Sequence, residues 1–503
     1  MNDDNKLIMA KTEEQQEFWD RLRPVNRVAT SDTYKRTMSG SSDLFANSFA
    51  CYNLAARRPL KEDGVNGRFI MAGIEKMLYP WFTKPITERE VDRAREFFQK
   101  KGAVKKFPEA AWQKALDNDG FMPVDIYSLP GGQTFLAKDG KHVPMMSVEG
   151  VGAIVSHLEP HLTTIYAPLI QATKARLFKE IVGDKFAEFG LRGDRNSLEH
   201  VALMGALYVG GGINLTSDDQ AVYLFSEYFK DVGTMGHEFV MAHQRSDISL
   251  EEAQKIAYKS FVEANARSAL LPDTIDTMQS GLPAILALMK EYRDAGSDKI
   301  IMPRFDSGDV TAQGIHWVNK MVGPAGLHKM HVIEDGRTPQ KARQTQSDYS
   351  AVGIDPTVPI EGAGGYFQNG VSRDAPSVAY KRSATMHTVN GKDRLEASLK
   401  FSDSEGKRSI PGQIRIYARD NTIIVAQAGE EIDGEALMQK VVSNGRISYN
   451  EDWHVQADRA DKTWNKYSNI EYSPLTQAMI DVRVNERNAI LERLVGEGLQ
   501  YQS

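Results

Sequence analysis

At 503 residues the chain exceeds what one ordinary hydrophobic core holds, so two or three domains are expected. With 41% hydrophobic and 25% charged residues it has the balance of a globular protein, which excludes a disordered chain. Its 61 basic and 67 acidic residues are interleaved to a net charge of −6, so no basic stripe marks a nucleic-acid surface, and local loops and arginines must meet any anionic ligand.

The N-terminal stretch (Met1–Lys6, then Glu13–Glu17) is polar and acidic, without the apolar core of a signal peptide. Cys51 is the only cysteine, which excludes an internal disulfide and a multi-cysteine metal site. With no apolar run of about eighteen residues, no membrane span is expected, and the location implied is cytoplasmic.

In chain order, residues 1–149 mix short helices and strands. Val65 to Gly73 reads as a turn followed by a strand, and Ile74 to Phe82 as a helix stopped at Pro80. Residues 87–100 and 109–118 carry helical charge patterning, the first opening with a capping box, Thr87-Glu-Arg-Glu90. From 150 to 389 the rhythm becomes β/α. A helix through Leu282, Ile285 and Met289 leads to a strand at Lys299–Phe305, and one through Ile315, Val318 and Met321 to a strand at Lys329–Ile333. Strands at that spacing predict a parallel sheet or barrel. After 390, Gln413–Tyr417 and Thr422–Ala426 flank a turn and form a hairpin, followed by an amphipathic helix over Leu475–Leu494.

The residues able to carry chemistry gather after predicted strands, the face where a β/α barrel collects its active-site groups. Glu361-Gly-Ala-Gly364-Gly365 precedes a helix start, so its backbone N–H groups can cradle a phosphate; Gly336 offers the same one unit earlier. As bare patterns both are also ordinary tight turns. Arg304-Phe-Asp306-Ser-Gly-Asp309 suits ribose hydroxyls or Mg²⁺, or is an Asx turn with solvated aspartates. In Gly233-Thr-Met-Gly-His237, the imidazole is a candidate base, ligand or nucleophile, or a packing residue at a helix start. Glu188-Phe-Gly-Leu-Arg192 offers a guanidinium for a planar carboxylate, and Tyr208 to Asp218 a run of hydroxyls.

These segments, taken in chain order, resemble the nicotinate phosphoribosyltransferase family, and the resemblance extends over nearly the whole chain. Thr30-Ser-Asp-Thr-Tyr34-Lys-Arg-Thr-Met38, Val148-Glu-Gly150, Asp273-Thr-Ile-Asp-Thr-Met-Gln-Ser-Gly281 and Pro411-Gly412 add to it. It implies an irregular β/α barrel of the type II phosphoribosyltransferase kind over 150–389. An α/β domain would be built from residues 1–149 and the C-terminal segment 390–503. It implies nicotinate, phosphoribosyl pyrophosphate and ATP as substrates with Mg²⁺, and NAD salvage as the setting. It further implies a homodimer in which Tyr34 enters the neighbouring subunit's site, with no nucleic-acid or membrane partner.

By residue, the resemblance implies His237 as a phosphohistidine, Asp306 facing the ribose, and Arg192 on the base carboxylate with Thr216 and Ser217 lining that pocket. Asp218, Arg304 and Asp309 would join the substrate-binding set, and Gly336, Gly364 and Gly365 would hold the 5-phosphate. Mg²⁺ would come with the substrate, near Asp306 or Asp309. The sequence departs from the family in having Gly193 where a second arginine is common and Asp218 where asparagine is usual. The first departure resembles the nicotinamide enzymes, the alternative reading. An aspartate at 218 would accept from an amide, although the amide-binding aspartate of those enzymes aligns one position earlier, on Ser217. Tyr208-Val-Gly-Gly and Gly233-Thr-Met-Gly-His237 favour nicotinate. A non-catalytic phosphosugar binder would have little need of His237. An unrelated barrel enzyme on a sugar phosphate would want a strand-end base or lysine, and no candidate stands out.

Overall fold

The computed structural model describes residues 26–100, 107–194, 196–401 and 408–496, and the polar N-terminal stretch lies outside them. A seven-stranded, all-parallel sheet forms one half of the structure. Its order is Arg267–Leu270, Ile300–Phe305, His331–Ile333, Pro359–Ala363, Phe186–Glu188, Leu215–Thr216, Lys230–Asp231. Beyond the last strand the Met235 amide donates to the Ala269 carbonyl of the first (3.1 Å), so the two edges meet and the sheet curls round on itself. This is the irregular β/α barrel expected. Its strands are short, and all but the edge strand Lys230–Asp231 are largely buried; Ile300–Phe305 is buried along five of its six residues.

Strand-end turns feed helices as the periodicity predicts: Leu282–Asp294, Val310–His316 and Pro339–Ala351 each follow a barrel strand. Tyr208-Val-Gly-Gly, by contrast, closes the helix Ser197–Gly211 rather than following a strand. Glu361 to Ala363 likewise belong to the strand itself, so the turn after it begins at Gly364.

The second half is an antiparallel seven-stranded sheet in the order Lys392–Ala397, Ala379–Val389, Phe49–Ala55, Pro144–Val151, Val124–Ser128, Gln439–Ser443, Arg446–Ile447. N- and C-terminal segments therefore build one α/β body. Glu149 stitches them further, accepting from Gln413 Nε2 (2.6 Å) and Arg415 (2.8 Å). The predicted hairpin forms from Ile414–Arg419 and Thr422–Gln427. The capping box is reciprocal: Thr87 N donates to Glu90 Oε2 (2.9 Å) and Glu90 N to Thr87 Oγ1 (3.2 Å). The helix Ile74–Phe82 does not stop at Pro80 but contains it, in its last turn, where a missing N–H and a displaced carbonyl disturb only the helix end. In the final helix, Pro474–Gly496, Ile480 is buried while Ile490 and Leu491 stay exposed. Among the described residues no helix is long and apolar enough to cross a membrane.

Candidate active site

Two cavities open where the barrel strands end. The larger, about 890 Å³, is lined by Gly336, Gly364 and Gly365 together with Lys174, Arg337 and Arg343. The smaller, about 380 Å³, is lined by Arg192, Ser217, Thr234, Gly236 and Arg304. Phe189 and Glu334 line both, so the two are neighbouring compartments of one mouth.

In the larger compartment the glycines permit backbone approaches that a side chain would block. Gly336 has φ +50°, and a Cβ on Gly364 would overlap the backbone of Gly190 from the adjacent turn. The helix after Gly364 is a single turn, Gly365–Gln368, and adds little dipole. The thirteen-residue helix Pro339–Ala351, capped by Thr338 onto Lys341 N (3.3 Å), presents the stronger positive end. Beneath both glycine turns Arg337 and Glu361 form a buried bidentate pair, Nε to Oε2 2.6 Å and a second guanidinium nitrogen to Oε1 3.2 Å.

Between the compartments stands a cluster of charge. Arg304, next to last in the strand Ile300–Phe305, reaches Glu334 (2.9 Å), Asp306 (3.4 Å) and Thr234 Oγ1. Arg304 Nε and Glu334 Oε2 are close enough to pair but not aligned for a hydrogen bond. His237 opens the short helix His237–Met241; its Nδ1 lies 3.0 Å from Thr274 Oγ1, and its Nε2 is 3.6 Å from both Asp273 and Asp306. Burial and the adjacent Asp273 carboxylate hold Asp306 above the usual carboxylate range, against the pull of Arg304 and His237. Ligand atoms of His237, Asp273 and Asp306 lie within 4.8 Å of one another, and one buried oxygen of each aspartate has no hydrogen-bond partner among the described residues. Two unsatisfied carboxylate oxygens suit a hard divalent cation such as Mg²⁺.

The structure therefore brings together His237, Asp306, Arg304, Arg192, Ser217 and the three glycines. It puts four other candidates elsewhere. Thr216 is fully buried, its hydroxyl donating to Glu188 Oε2 (3.2 Å). Asp218 is also buried; it caps the helix Asp219–Leu224 by accepting from Gln220 N (2.9 Å) and faces His200 rather than the smaller compartment. Asp309 caps Val310–His316, accepting from Ala312 N (3.0 Å), the Asx-type role that its spacing also allowed. Tyr34 sits on the N-terminal helix Thr33–Ser39 with its hydroxyl on Glu159 (3.2 Å), 49% exposed and not among the residues lining either compartment.

Sequence reading passed over Asp273, Glu334 and Phe189, and the ring of Glu188, Asp194 and His200. Asp273 stood in a quoted motif, Asp273-Thr-Ile-Asp276, and its position after the strand Arg267–Leu270 was the signal that could have found it. Gly193 now has a local explanation: the Gln368 amide occupies the place where a side chain at 193 would project.

Residues 185–410 match the model of the nicotinate phosphoribosyltransferase (NAPRTase) family. The chain is 27% identical over 315 residues to a nicotinate phosphoribosyltransferase of Bacillus subtilis, a match covering 62% of this chain and 57% of that protein. Thus it spans little more than half the length of that relative. It is 25% identical over 447 residues to a nicotinamide phosphoribosyltransferase of Xanthomonas campestris, covering 79% of this chain and 91% of that one. Among solved structures, human nicotinic acid phosphoribosyltransferase is similar with a TM-score of 0.65 at 16% identity, covering 90% of this chain and all (100%) of that one. A nicotinate-nucleotide pyrophosphorylase from Pyrococcus furiosus follows at 0.59 and 14%, covering 92% and 100%. At those identities the structural likeness speaks for the fold.

Proposed function

This chain is related to the nicotinate phosphoribosyltransferase family through residues 185–410, and on that footing we propose that it transfers the phosphoribosyl group of phosphoribosyl pyrophosphate to nicotinate in NAD salvage. The observation that carries the reading is the shared mouth: a glycine-turn compartment for the 5-phosphate opens beside an arginine-bearing compartment for the base, with His237, Asp273 and Asp306 nearby.

In the reaction the bond from ribose C1 to the pyrophosphate oxygen breaks, the pyridine nitrogen bonds to C1, and pyrophosphate leaves. The ribose becomes oxocarbenium-like as that bond stretches, so the fixed carboxylate of Asp306 beside it favours the transition state over the ground state. Asp273 and Asp306 would hold Mg²⁺, which when bound neutralises charge on the departing pyrophosphate. Arg192 would clamp the base carboxylate: among the described residues no carboxylate lies within ion-pair distance of it, whereas Arg304 is already engaged by Glu334 and Asp306. Asp218, turned away beneath the pocket, would not repel that carboxylate. Tyr34, exposed on the N-terminal body, would serve the site of a second copy in a homodimer.

His237 would accept the γ-phosphoryl group of ATP. In the tautomer whose Nδ1–H donates to Thr274, Nε2 would keep its lone pair and bond to the γ-phosphorus as the bridging P–O bond breaks and ADP leaves. His237→Ala is expected to abolish ATP stimulation while leaving slow ATP-independent transfer, measured by product formation with and without ATP. Full ATP coupling in that variant would mean another group takes the phosphoryl.

The nicotinamide reading draws on Glu334, a carboxylate on the same compartment that would accept from an amide. The purified protein, given phosphoribosyl pyrophosphate and Mg²⁺, should use nicotinate at least about tenfold better than nicotinamide in kcat/KM, the size of one charge-assisted bidentate contact. Equal or reversed preference moves the assignment to the amide.

A further inference from the structure

We propose that His200 is a positioning residue for base binding: its imidazolium holds both ends of the turn that carries Arg192. The inference rests on the reading that Arg192 takes the carboxylate of the base. His200, on the helix Ser197–Gly211, is 0% exposed. Its Nδ1 is 2.6 Å from Asp194 Oδ2 and its Nε2 is 3.0 Å from Glu188 Oε2. A neutral imidazole has one N–H and one lone pair, and an ionised carboxylate cannot donate. Both contacts are therefore satisfied together only by the doubly protonated ring. Glu188, Asp194 and Asp218 (3.9 Å from Nε2) are the charged groups that face it.

The two bonded carboxylates bracket the turn. Glu188 ends the strand Phe186–Glu188, Asp194 follows the turn Leu191–Gly193, and Phe189 and Arg192 lie between them. Glu188 also accepts from Gly190 N and from Thr216 Oγ1, next to Ser217. From the other side, Gln368 Nε2 donates to Gly190 O (2.7 Å) and Asp194 Oδ2 (3.1 Å). The cation thus fixes the turn from both ends, through Asp194 and Glu188. Removing it leaves the buried Glu188 carboxylate without its counter-charge, at the foot of the turn that carries Arg192.

The group's titration provides a signature that a merely structural residue would lack. Burial alone would lower the His200 pKa, but the hydrogen bonds and charges of Asp194 and Glu188 outweigh it and push the value up from 6.5 to about 9. A raised pKa means the ordered turn is fully populated below the ordinary value and is lost as pH rises through the folded one.

The test is steady-state kinetics of full-length wild type, His200→Gln, Asp194→Asn and Arg192→Ala, with nicotinate and phosphoribosyl pyrophosphate varied separately across neutral and alkaline pH, and thermal melting alongside. His200→Gln is expected to raise KM for nicotinate about tenfold or more while leaving KM for phosphoribosyl pyrophosphate within about twofold, and to lack the alkaline rise in nicotinate KM seen in wild type. Asp194→Asn keeps the hydrogen-bonding shape but removes one charge, so that rise should begin about one pH unit lower. If His200→Gln fails to fold, the shift in Asp194→Asn decides. An unmoved nicotinate KM in His200→Gln, or an unmoved pH profile in Asp194→Asn, overturns the inference, provided Arg192→Ala has raised nicotinate KM. If Arg192→Ala leaves that KM unchanged, the pocket assignment has failed, and the inference falls with it.

Discussion

Asp306→Asn is expected to lower kcat by about 10²–10³-fold, the range found when one fixed electrostatic stabiliser is removed from an active site. The substitution keeps size and hydrogen-bonding shape, so what it removes is charge. That charge lies 3.6 Å from His237 and 3.4 Å from Arg304, at the end of the strand Ile300–Phe305. Folding should not suffer. Burial and Asp273 already disfavour the ionised form of Asp306, so a neutral amide relieves repulsion within the carboxylate pair, and the melting temperature should hold or rise. Loss of turnover with retained stability separates a chemical role from a structural one. Turnover within about threefold of wild type would remove Asp306 from the chemistry and return it to the Asx-turn reading.

The barrel was legible because its signals are local and repeated. Apolar strands separated by helical periods, with glycine or aspartate just past each strand, require nothing from distant sequence. The antiparallel body was less so: Phe49–Ala55 pairs with Ala379–Val389, and Val124–Ser128 with Gln439–Ser443, and no residue pattern announces partners some three hundred positions apart. The site divides in the same way. Asp306 and the glycines were found by their place after strands, and His237 by its place between a glycine-flexed loop and an apolar, helix-like stretch. Thr216 ends a strand and Asp218 and Asp309 follow strands too, but their side chains are taken up by Glu188 or by helix caps, a choice made by backbone geometry that composition does not reveal. His200 was invisible for the opposite reason. It lies in the first turn of the helix Ser197–Gly211, just ahead of an apolar stretch, where a histidine ordinarily reads as packing, and only the converging carboxylates of Glu188 and Asp194 give it a role.

Glu361→Ala should be the most destabilising single change at this site, by about 3–5 kcal/mol, because it strands a buried guanidinium. Arg337 is 2% and Glu361 3% exposed, and Arg337 also donates to Thr345 Oγ1 (2.9 Å) on the helix Pro339–Ala351. Burial keeps the Glu361 pKa above the usual carboxylate range even with Arg337 against it, so desolvation is only partly recovered by the pair. Such a pair contributes geometry rather than stability. Arg337 directly follows Gly336, and Glu361 stands three residues before Gly364, so the bidentate contact fixes the spacing of the two glycine turns. Replacing both residues with apolar ones of similar volume (Arg337→Met with Glu361→Leu) should therefore restore most of the lost stability. It should not restore the turns: KM for phosphoribosyl pyrophosphate should remain raised about tenfold or more while KM for nicotinate changes little. Chemical denaturation and steady-state kinetics on the single and double variants measure both quantities. A double variant with normal affinity for phosphoribosyl pyrophosphate would show that the glycine turns hold their spacing without the ion pair.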